Sequence, residues 1–136
     1  MAYQGVSSIV RFEFVQANAA ASQAAVEITT HDTGVKYGVF PFGAGAIVGI
    51  SVACENARTA GTCTVDATID GAVTGLQAVL DATNTQYHYN TQDPVQDAVV
   101  KGKRIGVKIT TDAGWAAGTT PSVVVSVFVQ IGQSQT

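Results

Sequence analysis

Cys54 and Cys63 carry the thiols of this chain, and His31 and His88 carry its imidazoles, so these side chains are where nucleophilic or metal chemistry would start. A structural zinc site asks for four such ligands at close spacing, and a disulfide framework asks for several bridges; two thiols supply neither. A nucleophilic cysteine also needs a lowered pKa, and no base stands near either thiol in the sequence. His31-Asp32 runs into Thr33-Gly34 and reads as part of a turn. His88 lies between Tyr87 and Tyr89; on a strand it faces opposite to both, where it can join Asn90 and Gln92 in a polar surface. Asp66 and Asp70 have the residue type of a glycosidase carboxylate pair. Asp66, however, alternates outward on a strand and Asp70 sits in a turn, so both read as solvated. Lys101, Lys103, Arg104 and Lys108 gather four of the seven basic residues without interleaved aromatics, which reads as a solvated strand end. No glycine-rich phosphate loop and no Gly-x-Ser-x-Gly elbow is present. The expectation is a chain with no enzymatic activity, cofactor, metal or specific nucleic-acid partner.

The elements that position any site follow from composition and periodicity. A chain of 136 residues and 14.0 kDa buries roughly 13,500 Å² on folding, about two-thirds of its unfolded surface, which suffices for one domain over residues 1–136. Hydrophobic residues make up 46% and charged residues 12%, with a net charge of -3. Those values exclude a disordered chain, a basic nucleic-acid coat and a charge-laced coiled coil. A surface so poor in charge is expected to be covered in part by a partner or by copies of itself. Met1-Ala2-Tyr3-Gln4-Gly5 has no basic run leading into an apolar segment, which predicts synthesis in a cytoplasm without a secretory signal. The uncharged stretches 37–54 and 113–136 are long enough to cross a membrane, but glycines together with Pro41 and Pro121 break them into strands and turns.

Period-two alternation dominates. Val10, Phe12 and Phe14 face one way and Arg11 and Glu13 the other; Val48, Ile50, Val52 and Cys54 share a face, as do Cys63, Val65, Ala67 and Ile69. The two cysteine-bearing segments are expected to form a hairpin, with Asp70-Gly71 as the following tight turn. Residues 16–25, rich in Ala and lacking an apolar stripe, read as a linker or arm, and 76–80 fits either a strand or one helical turn. Further strands are expected over 25–30, 35–40, 87–89, 95–100, 104–110 and 122–131. The fold expected is all-β, a two-sheet β-sandwich of about eight strands in a jelly-roll-like arrangement, with the first and last strands paired.

From Val52 onward the pattern resembles the small jelly-roll head decoration, or cement, proteins of tailed bacteriophages. The resembling parts are Val65 to Gly71, Gly102 to Asp112, Trp115 and the terminal Val-rich strand, somewhat over half of the chain. The resemblance implies a trimeric, non-enzymatic virion structural protein on the outer capsid surface. It would bridge major capsid subunits and stabilise the shell. It transfers no individual site residue. Residues 1–8, with Ala2, Tyr3, Gln4, Gly5 and Val6, form a candidate docking arm able to add a strand to an exposed capsid sheet edge. A second reading is a receptor- or carbohydrate-binding module of a phage tail or surface protein, with Tyr87, Tyr89 and Trp115 as an exposed glycan platform. A small hydrolase ranks last.

Overall fold

The computed structural model describes residues 8–30, 34–119 and 121–132. Among them the chain forms β1 (Ile9–Gln16), β2 (Val26–Glu27), β3 (Thr29–Thr30), β4 (Gly38–Val39), β5 (Ala44–Cys54), β6 (Cys63–Ile69), β7 (Ala72–Leu80), β8 (Tyr87–Thr91), β9 (Ala98–Val100), β10 (Arg104–Thr111) and β11 (Val123–Ile131), and no helix. The first sheet runs β3-β1-β11-β5-β8, with β9 also on β5; the second runs β2-β10-β6-β7, with β4 also on β10. All pairings are antiparallel, and β1 pairs with β11 from Ile9–Gln130 to Gln16–Val123, joining the first and last strands as the alternation predicts. The chain passes repeatedly between the sheets, giving the all-β two-sheet sandwich expected.

Alternation explains the core. Val123, Val125, Val127 and Val129 of β11, with Phe14 of β1 and Ile50 and Val52 of β5, point inward from the first sheet. Val65, Ala67, Leu80, Ile105, Val107 and Ile109 meet them from the second. β-branched side chains suit this pleated, half-buried setting because their χ1 freedom is already small. One face departs from the sequence expectation: a bulge lets Phe128 pair with Gly49 and Val129 with Ile47, so Ile47 is fully buried and Val48 half-exposed. A bulge inserts one residue and shifts the phase of the strand, which simple alternation does not reveal. Asp70-Gly71 is the expected two-residue turn between β6 and β7, with φ of 52° and 83°; a type I′ turn needs both positive values.

Three further expectations are corrected, and one open alternative is resolved. β5 and β6 lie in different sheets, so the cysteine segments form no hairpin; Cys54 pairs beside Val123, and Cys63 beside Thr111 and Leu80. The 56–62 connection crosses the sandwich instead of folding back in one sheet. Residues 16–25 are no free linker. Ala19 N–H donates to the Pro121 carbonyl at 2.9 Å, Ser22 N–H to Asp112 at 3.0 Å, and Gln23 N–H to Thr111 Oγ1 at 2.9 Å. The Trp115 indole N–H donates to the Ala19 carbonyl at 3.1 Å. The segment 76–80 is strand, continuous with Ala72 through a glycine with φ of 91° at Gly75. Of 35–40 only Gly38–Val39 is strand.

The open edge of the second sheet is closed by side chains from the first. Val79 N–H on β7 donates to His88 Nδ1 at 3.0 Å, and Asn90 Nδ2 donates to the Gln77 carbonyl at 3.3 Å. Two edge groups that could recruit a foreign strand are thereby occupied. His88→Ala leaves the Val79 N–H without its partner and should cost about 1–2 kcal/mol in urea unfolding; an unchanged midpoint would remove the seam from the account.

Candidate interaction surface

The outer faces of the two sheets differ in chemistry. On the first, strand alternation places Ile9, Arg11, Glu13 and Val15 of β1 beside Val124, Ser126 and Phe128 of β11, then Ser51 and Ala53 of β5, then Tyr87 and Tyr89 of β8. Tyr87 and Tyr89 are 68% and 67% exposed, and Ile9 59%. Gly49 leaves room for Phe128: a Cβ there would stand 3.5 Å from the ring, so the aromatic side chain lies over the glycine of the next strand. The charged side chains among this face's described strand residues are Arg11 and Glu13, which pair at 3.6 Å. Their pairing leaves the face with no net charge.

On the second sheet, one cross-strand row runs Glu27, Lys108, Asp66, Gln77. Gln77 Nε2 donates to Asp66 Oδ1 at 2.8 Å. A cleft of about 400 Å³ lies beside this row, lined by Glu27, Lys36, Tyr37, Asp70 and Arg104 among others. Two of its charged groups are engaged: the Arg104 guanidinium lies 5.4 Å over the Tyr37 ring, and Asp70 receives Lys103 Nζ at 3.2 Å and Arg104 Nε at 3.4 Å. Two members of the basic cluster thus share one turn carboxylate, and Lys108 lies between Glu27 and Asp66. The carboxylates Asp66 and Asp70 serve separate partners and make no general-acid pair.

The Arg104 backbone N–H, 2.9 Å away, and then the Lys103 ammonium hold the Asp70 carboxyl below its ordinary 3.8. A depressed folded-state value contributes stability above the unfolded value, and that contribution is lost as pH falls through the folded value. The stability gap between the wild type and Asp70→Asn should therefore narrow as the pH is lowered below about 4; a constant gap in acid denaturation would contradict this.

Cys54 and Cys63 are free and buried. Burial pushes the Cys63 thiol up to about 12, with the neighbouring Cys54 adding to it, and burial also raises Cys54. Thiols so far from ionised do not act as nucleophiles. Ellman's reagent should find almost no reactive thiol in the native protein near pH 8 and both thiols in guanidinium; rapid native labelling would refute the burial.

The sequence-predicted platform is split. Tyr87 and Tyr89 stand together on the outer face, whereas Trp115 is 4% exposed and belongs to the core, so it is removed from any glycan surface. His88, Asn90 and Gln92 form no recognition surface either. His88 and Asn90 stitch the seam, and Gln92 Nε2 bonds the Ile47 carbonyl at 2.9 Å and Asp97 at 2.6 Å. The docking-arm residues Ala2, Tyr3, Gln4, Gly5 and Val6, and His31, lie outside the described residues. Among the described residues no group of His, Cys, Asp and Glu is arranged to hold a metal ion. The net-neutral outer face is not legible in the sequence because its members come from four strands; its one signal is the low overall charge.

The sequence matches no protein-family model and no curated protein. A solved structure described as the cyanophage Pam1 capsid asymmetric unit contains a chain similar to this one, with 19% identity and a TM-score of 0.54, over 97% of this chain and 93% of that chain. At that identity the likeness is one of fold: the two chains share a β-sandwich nearly from end to end.

Proposed function

We propose that this chain is a non-enzymatic virion structural protein that decorates a bacteriophage capsid and stabilises it by bridging major capsid subunits. The observation that carries the reading is the fold likeness to a chain of the cyanophage Pam1 capsid asymmetric unit, which spans 97% of this sequence. The outer face of the first sheet supports it, because it exposes Ile9, Tyr87 and Tyr89, large apolar side chains of the kind that partners cover. The docking contact is assigned to Ala2, Tyr3, Gln4, Gly5 and Val6, which precede β1 and add a strand to a capsid sheet edge. Self-association, as the trimer that the resemblance implies, multiplies weak contacts through avidity. The protein acts at the outer capsid surface after synthesis in the host cytoplasm.

The test is co-sedimentation of purified protein with stripped capsids. Deleting residues 2–6 should abolish pelleting and leave thermal unfolding unchanged; retained pelleting would remove the arm. The glycan-binding reading is favoured by one observation, the exposed pair Tyr87 and Tyr89. Loss of carbohydrate binding in the Tyr87→Ala, Tyr89→Ala double variant, with no capsid binding by the wild type, would install it instead.

A further inference from the structure

The outer face of the first sheet is the place where a second copy of this chain can pack, and we propose that it is the self-association surface of the protein. Three observations converge on it. The first is charge. The chain carries a net -3, so two copies carry like net charge and gain nothing from overall electrostatic attraction. This face carries only the Arg11–Glu13 pair, which cancels at 3.6 Å. The second sheet, by contrast, presents Glu27, Asp66 and Lys108 in one row, and burying those charges against an identical copy would cost desolvation without assured partners.

The second observation is side-chain type. Tyr87, Tyr89, Ile9 and Val124 are 68%, 67%, 59% and 36% exposed. Tyrosine is enriched where interfaces are buried, because it adds contact area at low entropy cost and keeps a hydroxyl for the rim. The third is size. Five strands lie abreast in this sheet, and β11 has nine residues. At about 4.8 Å between strands and about 3.3 Å per residue, strands of two, eight, nine, eleven and five residues give a face of roughly 550 Å², about two-thirds of the ~800 Å² per partner of a standard stable interface.

This proposal deepens the self-association in the capsid reading by naming its face, and its test uses the purified chain with no capsid present, so the two can fail separately. Sedimentation velocity of the full chain at micromolar concentrations should show an oligomer. Val124→Glu and, separately, Tyr89→Glu should each shift it to the 14.0 kDa monomer, while circular dichroism and the melting profile of the monomer remain those of a folded sandwich. Thr64→Glu, on the outer face of the second sheet, should leave the oligomer intact. A wild-type monomer at every concentration, or an oligomer that survives both face variants, overturns the proposal. If Val124→Glu alone fails to fold, the more exposed Tyr89→Glu decides the matter.

Discussion

Gly61→Ala should be the most damaging small substitution in the chain, lowering stability by about 3 kcal/mol or more. Gly61 has φ of 70°, a left-handed conformation that costs other residues about 1 kcal/mol or more. A Cβ there would also run into the Asp112 carboxylate and the Trp115 backbone nitrogen. The neighbouring backbone is tied down, with Ala116 N–H donating to Ala60 at 3.0 Å and Trp115 N–H to Asp112 at 3.3 Å. The clash is therefore relieved only by moving main chain, which adds about 1–3 kcal/mol. For a domain of this size the loss corresponds to roughly 10 °C in Tm. Calorimetry checks it, and a shift below about 3 °C would show that the crossing between the sheets is looser than described.

Trp115→Ala should cost about 3–5 kcal/mol, as large aromatic truncations in cores do. The indole fills the core near Ala19 and Ala117, and its N–H is the partner of the Ala19 carbonyl. Truncation leaves a cavity and an unpaired buried acceptor at once. The variant also tests the assignment of Trp115. A core residue shows its loss as a lower urea midpoint, with any ligand binding by the folded fraction unchanged. A surface platform residue would show lost binding at full stability. Trp115→Phe keeps most of the volume and removes the donor, so it should fall between the two, at about 1–3 kcal/mol.

How much of this was legible in the sequence depends on whether a feature is local. The strands β1, β6, β10 and β11 announce themselves through alternation, and Asp70-Gly71 through turn chemistry, since each signal is carried by consecutive residues. Whether two strands share a sheet is not local. Cys54 and Cys63 alternate inward in both a hairpin and a sandwich, and only the crossing at 56–62 separates the two. The bulge at Val48 is invisible for the same reason: it is defined by Phe128 and Val129 on a distant strand. Trp115 was misread because an isolated tryptophan among Gly and Ala carries no periodicity, and its burial depends on residues 16–25 folding over it. The neutral outer face is the least legible of all, being assembled from β1, β11, β5 and β8. The candidate site was thus half visible: Tyr87 and Tyr89 from their spacing, their surroundings only from the fold.

Sedimentation of a lysate from the natural source, with this protein followed by antibody across the gradient, tests the virion assignment most directly. The account predicts migration with DNA-filled particles, at a copy number comparable to that of the major shell protein. Migration only as a small soluble species would contradict it.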